Sequence, residues 1–319
     1  MSSKTSWGVV STIKASTNDI LNFAAYHLDL GAQLVQIYLD EDDPVARAKL
    51  REHSKCRVIH TDAGYWKRRK GEKGRPIKHQ VRQAANATHC YRKHTDIDWL
   101  LHADVDEFVW STASVSDQLA ALPADVMIAR VRPIEILADD PSDPPISGSA
   151  WCKGCSSVSG TRRNETAAIY PTYGEHLKGG FLSHVFGKIF VRTGQPNVTV
   201  NIHRAFQRQE DSLKTEELET IKLAHAHAAT WEKWIGHYKY RLEHGSYRDS
   251  LRPPLNDGTT LNMNALFSTL EKEGGETALR EFYQEVCIAT PELRGRLAEH
   301  GHLYCVMLDL EAKRAKHFL

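Results

Sequence analysis

The sequence contains no apolar run close to the length of a membrane span. A transmembrane helix needs about 20 consecutive apolar residues, and no stretch of the 319-residue chain approaches that length. The first residues, Met1–Trp7, also lack the apolar core of a secretory signal. We therefore expect a cytoplasmic protein without a transmembrane segment, which leaves peripheral membrane contact open.

A surplus of charge of one sign is also absent. The 41 Lys and Arg residues nearly balance the 40 Asp and Glu residues, for a formal net charge of +1. Proteins that bind nucleic acid usually carry a clear basic surplus. The composition thus predicts no nucleic-acid partner, and the chain length suits one large domain or two smaller ones.

Cysteine is sparse and scattered. Six cysteines are spread along the chain, and only Cys152 and Cys155 form a close C-x-x-C pair. A single pair of this kind is weak evidence for zinc, because structural zinc sites usually take four ligands. The spacing therefore favours reduced thiols over a disulfide framework.

Strand-like and helix-like patterns alternate through the first 130 residues. Ser16 and Asp43 are predicted helix N-caps, and helical spacing returns from Trp231 onward. Such alternation predicts an α/β fold with a mostly parallel sheet, a first domain over 1–230 and a helical C-terminal extension over 231–319. The first four predicted strands cover 7–13, 34–39, 56–60 and 99–103, and further strands are predicted at 126–131, 186–191 and 198–202.

Two of these strands end in acidic clusters. Asp40–Asp43 follows the second strand, and Asp104-Val105-Asp106-Glu107 follows the fourth. The carboxyl ends of parallel strands meet at the ligand-binding edge of an open sheet. Asp104 and Asp106 point to the same side of an extended segment and repel each other, unless a cation lies between them. The spacing predicts either an oxygen-ligand site for Mg²⁺ or Mn²⁺ or a simple capped turn.

Histidine and lysine patterns extend this hypothesis. His225 and His227 share a face of an extended segment, where an imidazole would favour Mn²⁺, although a packed strand explains the pair equally well. The basic run Lys67–Lys70 is followed by Gly71 and Gly74, and we expect it to be a solvated, mobile loop near the ligand edge.

Residues 98–108, Asp-Trp-Leu-Leu-His-Ala-Asp-Val-Asp-Glu-Phe, resemble a motif of the family 2 glycosyltransferases with the GT-A fold. The similarity is to the soluble bacterial branch, in which an aliphatic strand ends in Asp-Val-Asp-Glu-Phe. It extends over about residues 7–245. Shorter segments also resemble that branch: Thr12–Lys14, Ala25–Gly31, Lys78–Gln80, Gly187–Arg192, and His225 with Thr230.

The resemblance implies a metal-dependent, inverting glycosyltransferase that moves a sugar from a nucleotide diphosphate, with a UDP-sugar expected, to a hydroxyl of a glycan, lipid or other acceptor. Residues 1–230 would form the catalytic GT-A domain. By the same resemblance, Asp104, Asp106 and His225 would bind Mn²⁺ or Mg²⁺, with Asp104 also touching the nucleotide. The remaining nucleotide-site residues would be Thr12, Lys14, Asp40 and Asp42, with Lys78 or Gln80 near the ribose or phosphates.

Inverting transfer also needs a carboxylate that takes the proton of the acceptor hydroxyl. Glu175 is the first candidate because it lies in a glycine-containing loop after the sheet, in the segment Tyr173-Gly174-Glu175-His176. Glu165 and Glu135 are the alternatives.

Other functions stay open at this level. A non-catalytic nucleotide- or carbohydrate-binding subunit would have the same fold. A sugar nucleotidyltransferase is disfavoured because Lys14–Asn18, after the first strand, is not glycine-rich. An Asp-x-Asp phosphatase is disfavoured because its acidic pair should follow the first strand rather than the fourth. The donor sugar, the acceptor and the oligomeric state are not fixed by the sequence.

Overall fold

A computed structural model describes residues 5–208, 212–250 and 261–318. The strands of this part of the chain are β1 (Trp7–Ile13), β2 (Leu34–Leu39), β3 (Cys56–His60), β4 (Trp99–His102), β5 (Glu107–Ser111), β6 (Ile128–Ile136), β7 (Ser149–Lys153), β8 (Lys188–Arg192), β9 (Val198–Val200), β10 (Ala205–Gln207), β11 (Thr215–His225) and β12 (Leu303–Met307). Its α-helices are α1 (Thr17–Asp29), α2 (Pro44–Glu52), α3 (Ala63–Lys70), α4 (His79–Lys93), α5 (Val115–Ala120), α6 (Ser159–Ile169), α7 (Trp231–Glu243), α8 (Met263–Cys287), α9 (Pro291–Glu299) and α10 (Leu310–Phe318).

The chain divides into two compact units, neither of which is continuous in sequence. Unit 1 comprises Met1–Arg132, Phe186–Leu223 and Leu308–Leu319, and unit 2 comprises Pro133–Val185 and Ala224–Met307. The predicted division at residue 230, between a catalytic domain and a helical extension, stays a prediction.

Unit 1 is built on four parallel strands in the order β3-β2-β1-β4. Strand β8 continues the sheet antiparallel to β4, and the first half of β6 pairs antiparallel with β8. Every residue of β1 and β2 is buried, as expected for parallel strands that are covered on both faces. The predicted α/β class with a mostly parallel sheet is therefore confirmed.

The helix starts in unit 1 follow the predicted caps. The hydroxyl of Ser16 accepts a hydrogen bond from the backbone N–H of Asp19 at 3.2 Å. The carboxylate of Asp43 accepts one from the N–H of Ala46 at 2.8 Å, with Pro44 in the first turn. Both caps satisfy amide groups that have no partner within the helix.

The predicted loop at Lys67–Lys70 was wrong, because these residues form the last turn of α3. Asp62 caps this helix by accepting from the N–H of Tyr65 at 2.6 Å, and Tyr65 and Trp66 are buried in the core of unit 1. The hydrophobic pattern hides the helix, because only these two of its eight residues are buried.

Unit 2 combines a short antiparallel sheet with helices. The second half of β6 pairs with β7, and β7 pairs with β12. Helices α7, α8 and α9 enclose an aromatic core that includes Trp234, Phe267 and Phe282. Helix α8 bends at Gly275, whose φ of 59° lies outside the helical region. The helical character predicted from residue 231 onward is confirmed, with β12 as an interruption.

No helix in the described part of the chain is both long enough and apolar enough to cross a membrane.

Strand β8 begins directly after a tightly enclosed glycine. Gly187 has a φ of +68°, and a Cβ atom at this position would lie 1.9 Å from the carbonyl oxygen of Val131. Gly194, after the other end of β8, also has a positive φ, of +81°, but a Cβ there would meet no atom within 4 Å. The two glycines share a backbone conformation and differ in the space around them.

We predict that Gly187→Ala lowers the free energy of unfolding by at least about 3 kcal/mol, because backbone strain and steric overlap act together. Gly194→Ala, the matched control, should cost only about 1 kcal/mol for the left-handed backbone. Chemical denaturation of both variants measures the difference. Equal costs would show that the contact with Val131 does not constrain β8.

Candidate functional site

A cleft of about 400 Å³ lies in unit 1 at the carboxyl ends of β1 and β4. The two strands are parallel neighbours, with Val10 paired to His102, so the residues that follow them come together. The residues that line the cleft are Thr12, Ile13, Lys14, His79, Gln80, Gln83, Asp104, Val105, Asp106, Ile202 and His203. The predicted pair Asp104 and Asp106 therefore shares one space.

One face of α4 is buried although it is polar. Arg82, Gln83 and Asn86 are buried and lie within one turn of one another on this helix. Each bonds to the end of a different strand. Asn86 donates to the hydroxyl of Thr12 at 3.0 Å, Gln83 donates to the Asp104 carboxylate, and Arg82 donates to the Asp40 carboxylate at 2.7 Å. Helix α4 thus positions the wall of the cleft.

The Asp104 carboxylate is also paired with a lysine of the chain itself. The ammonium of Lys188 lies 2.6 Å from one Asp104 oxygen and 3.1 Å from a Glu107 oxygen. Lys188 and Glu107 are almost completely buried. Burial disfavours the lysine charge, but the carboxylates of Asp104 and Glu107 outweigh it and raise the pKa of Lys188. The lysine therefore carries a positive charge at neutral pH.

Glu107 fixes the turn that presents the acidic motif. Its carboxylate accepts a hydrogen bond from the backbone N–H of Asp104 at 2.8 Å, and its own N–H donates to the carbonyl of Asp104 at 3.0 Å. Two hydrogen bonds between Glu107 and the backbone of Asp104 thus close the turn. Glu107 therefore serves the shape of the motif, while Asp104 and Asp106 line the cleft.

His203, a histidine that the sequence analysis did not select, lines the cleft together with Asp104 and Asp106. Its Nδ1 is 2.8 Å from the carbonyl oxygen of Gly187, and since a carbonyl only accepts, Nδ1 carries the hydrogen. Burial, followed by the charge of Lys188, lowers the pKa of His203 to about 4. The ring is therefore neutral at pH 7, and its Nε2 carries a lone pair.

Of the seven residues predicted to contact the nucleotide, Asp104, Thr12, Lys14 and Gln80 line the cleft. Lys14 is exposed and forms an ion pair with Glu41 at 2.9 Å. This pair is solvent-exposed and worth little energetically. The ammonium of Lys14 can thus turn toward an anionic ligand at low cost.

The described residues that line the cleft do not include Asp40, Asp42 or Lys78. Asp40 is buried beside Arg82 and also pairs with Arg75 at 2.9 Å. Burial opposes its ionisation, but hydrogen bonds from His79 and Arg82 and the charge of Arg82 outweigh burial and lower the pKa of Asp40. Asp42 pairs instead with Arg47, and Lys78 is exposed at the start of α4. Their nucleotide roles stay predictions.

The predicted third metal ligand, His225, belongs to unit 2. Its ring lies 5.2 Å from that of His227, centroid to centroid, and Nε2 of His227 lies 3.0 Å from the Tyr247 hydroxyl. Among the described residues, no group of three or more His, Cys, Asp or Glu side chains is placed to hold a metal ion. Metal binding by His225 stays a prediction.

The donor chemistry at the cleft fits an open cation site rather than a closed one. Lys188 and Gln83 bond to the two oxygens of the Asp104 carboxylate, and a carboxylate offers about four lone-pair sites. Mg²⁺ in particular is usually held by one or two carboxylates, with phosphates and waters as its remaining ligands. Asp104 and Asp106 match that pattern.

The three candidate bases lie in unit 2 and differ in their surroundings. Glu175 is exposed in a short 3₁₀ turn, Gly174–His176. Glu165 bonds to Nε2 of His302 at 2.8 Å. Glu135 is buried, accepts from the backbone N–H groups of Leu182 (3.0 Å) and Ser183 (2.7 Å), and lies 3.5 Å from the Lys153 ammonium. Glu135 therefore serves the structure of unit 2, and Glu175 stays the predicted base.

Sequence reasoning missed the roles of Gln83, Lys188 and His203. Gln83 had a detectable signal, because Arg82, Gln83 and Asn86 recur at helical spacing next to apolar positions of α4. Lys188 stands at the start of an apolar strand, in a segment quoted only for its resemblance. His203 lies in an irregular segment between two short strands, where no periodic pattern exists.

Comparison of the chain with models of known protein families finds no match, and comparison with curated proteins finds none either.

We predict that Lys188→Met lowers the free energy of unfolding by about 3–5 kcal/mol at pH 8, because Glu107 is left buried without a counter-charge. As the pH falls toward 5, the folded variant takes up a proton that the unfolded chain does not. Its stability therefore rises relative to the native protein. Chemical denaturation at the two pH values measures this.

The control for that measurement is Lys214→Met. Lys214 pairs with Asp125 at 2.8 Å, but both side chains are largely exposed, so no measurable change is expected. If the loss in the free energy of unfolding of Lys188→Met were the same at both pH values, it would not come from a buried carboxylate that has lost its counter-charge.

His102, the last residue of β4, is a second unusual group beside the motif. It is fully buried, and neither ring nitrogen has a hydrogen-bond partner within the described residues. Burial, followed by the charge of Lys188, lowers the pKa of His102 to about 3. The ring is therefore neutral at pH 7, because the charge of Asp104, which favours protonation, does not outweigh burial and the charge of Lys188.

We predict that His102→Leu stabilises the protein by about 1 kcal/mol at pH 7.5, since it removes an unsatisfied polar group. Below pH 6.5 the unfolded native chain binds a proton at His102, whereas the folded protein does not do so until about pH 3. The native protein therefore loses stability as the pH falls through this range. At pH 5 the gain should therefore grow by about 2 kcal/mol. His244→Leu, at an exposed position, should change neither value. Equal gains at both pH values would show that His102 does not resist protonation.

Proposed function

We propose that the chain is a glycosyltransferase with the GT-A fold, acting on a nucleotide-diphosphate sugar. The observation that carries this proposal is the joint position of Asp104 and Asp106 with Thr12 and Lys14 in one cleft at the carboxyl edge of parallel strands. This edge is where open α/β sheets bind their ligands. The order β3-β2-β1-β4, continued by antiparallel β8, supports the GT-A assignment.

The cleft offers complementary groups to the two ends of such a donor. Lys14 is exposed and can approach a phosphate, and Thr12 and Gln80 offer hydrogen-bonding groups for a ribose. At the acidic end, Asp104 and Asp106 would hold Mn²⁺ or Mg²⁺. A bound divalent cation would supply Lewis-acid stabilisation of the charge that builds on the departing diphosphate.

The contribution of the chain is orientation and proton transfer. Gln83 and Lys188 fix the Asp104 carboxylate, and Glu107 fixes the turn around it. In the proposed transfer, the acceptor oxygen forms a bond to the anomeric carbon while the bond from that carbon to the diphosphate oxygen breaks. The diphosphate leaves with the electron pair, and a carboxylate, with Glu175 as the candidate, takes the hydroxyl proton.

The test is calorimetry of UDP binding in the presence of Mn²⁺. We expect Asp106→Ala to weaken UDP binding at least about 10-fold, because one of the two carboxylates that would hold the cation is removed. Asp96→Ala is the matched control, since Asp96 is an exposed carboxylate before the opposite end of β4. It should leave the affinity unchanged.

Two outcomes would contradict the proposal. Unchanged UDP affinity in Asp106→Ala would remove the metal-diphosphate site. If UDP binds but no nucleotide sugar across the UDP, GDP, CMP and dTDP series is hydrolysed or transferred, the chain is a binding subunit rather than an enzyme. Slow hydrolysis of one nucleotide sugar, lost in Asp106→Ala, supports the transferase.

A further inference from the structure

A second surface of unit 1 is strongly basic. The segment 62–82 contains eight Lys or Arg residues and only two acidic ones, Asp62 and Glu72. Arg75 and Arg82 pair with Asp40, but the others form no ion pair within the described residues. Those others, exposed to solvent, are Lys67, Arg68, Arg69, Lys70, Lys73 and Lys78. The local charge is thus far from the near-zero net charge of the whole chain.

Four of these charges, Lys67 to Lys70, stand on an anchored helix rather than on a loose loop. Trp66 of α3 is fully buried, and the hydroxyl of Tyr65 donates to the amide oxygen of Asn86 in α4 at 2.6 Å. Cationic side chains are favoured near the carboxyl end of a helix. The last turn of α3 carries four, from Lys67 to Lys70.

A fully exposed isoleucine lies next to this charge. The side chain of Ile77 is 97% exposed. Its backbone is fixed, because the Arg82 guanidinium donates to the carbonyls of Pro76 at 2.9 Å and Ile77 at 2.7 Å. One helical turn further on, Val81 is 46% exposed. A buried arginine therefore holds an apolar side chain out in solvent.

An apolar groove adjoins these two residues. Its volume is about 450 Å³, and it is lined by Gln80, Val81, Ala84, Asn201, Ile202, His203 and Arg204. The described residues that line it include no carboxylate. The groove shares Gln80, Ile202 and His203 with the cleft that contains Asp104 and Asp106. Val81 lines the groove and belongs, like Ile77 and the exposed basic residues, to segment 62–82. We call segment 62–82 together with the groove the basic-apolar face.

We propose that the basic-apolar face docks on an anionic lipid membrane, with Ile77 and Val81 in the interfacial region and the lysines of α3 over the headgroups. Clusters of lysine and arginine beside apolar side chains are the combination that binds anionic bilayers. A nucleic acid would satisfy the charges but would offer no apolar phase to Ile77. The proximity of the groove to the cleft places the cleft beside the lipid surface.

The test is partition of the full-length protein onto vesicles of phosphatidylcholine alone or with 30% phosphatidylglycerol, a composition of about one anionic lipid in three. We expect binding to the anionic vesicles only, with a steep decrease as salt is added. The triple variant Lys67→Gln, Arg68→Gln, Lys70→Gln should bind on the order of 100-fold more weakly, because each charge near such a surface contributes a factor of about five.

The matched control removes three charges elsewhere in unit 1. The control variant is Arg51→Gln, Lys93→Gln, Arg208→Gln, at three exposed positions outside segment 62–82. It should bind nearly as well as the native protein. Circular dichroism confirms that both triple variants are folded. Arg69 is kept in each variant because its guanidinium lies over the Tyr65 ring, 5.4 Å from the centroid.

Ile77→Ser separates membrane insertion from simple attraction between charges. It should weaken vesicle binding on the order of 10-fold, because one large apolar side chain no longer leaves water. It should not change binding to heparin, a soluble polyanion.

Three results would overturn the docking surface: no partition of the native protein onto anionic vesicles, equal losses in the two triple variants, or unchanged vesicle binding in Ile77→Ser. Binding to heparin or RNA without binding to vesicles would identify a polyanion site instead. None of these measurements depends on glycosyltransferase activity, so the docking surface and the proposed function can fail separately.

Discussion

The cleft of unit 1 depends on one helix face that is buried although it is polar. Arg82, Gln83 and Asn86 of α4 are themselves buried, and leaving any one of these three side chains without its hydrogen bond would cost about 1–3 kcal/mol. The three strand ends therefore cannot shift independently of the helix or of one another. The partners of the three α4 side chains lie on neighbouring parallel strands: Thr12 in β1, Asp40 after β2 and Asp104 after β4.

The same logic changes the interpretation of the acidic motif. Two adjacent carboxylates repel each other and call for a cation, and for Asp104 the chain provides one in Lys188. Lys188 is buried and also contacts Glu107, so a ligand in the cleft cannot touch it. Its charge affects the site only by fixing and neutralising the carboxylates of the motif. The three acids thus differ in role: Glu107 closes the turn, Asp104 is fixed in direction, and Asp106 lines the cleft.

The sequence predicts features that depend on neighbouring residues and does not predict partners that are distant in the chain. The bounds of β1 and β2 agree with the apolar runs, since buried parallel strands are apolar on both faces. The predicted bounds of β3 also agree, although most of this strand is only partly buried. Caps such as Ser16 and Asp43 are local and follow from a few neighbouring residues. The bond from Lys188 to Asp104 spans 84 positions and joins two strands whose antiparallel pairing has no local signature. Tertiary partners of this kind are selected by the fold rather than by spacing.

A single guanidinium connects the cleft to the outer surface of unit 1. Arg82 directs its Nε and one terminal nitrogen to Asp40 and the other terminal nitrogen to the carbonyls of Pro76 and Ile77. A planar fork with five donors can hold both partners at once, which a lysine ammonium on a flexible stem cannot do with the same geometry. One buried side chain therefore bonds both to the backbone at Ile77 and to Asp40 at the end of β2. Asp40 in turn lies 3.8 Å from His79, which lines the cleft, so a continuous chain of contacts runs from Ile77 to the wall of the cleft.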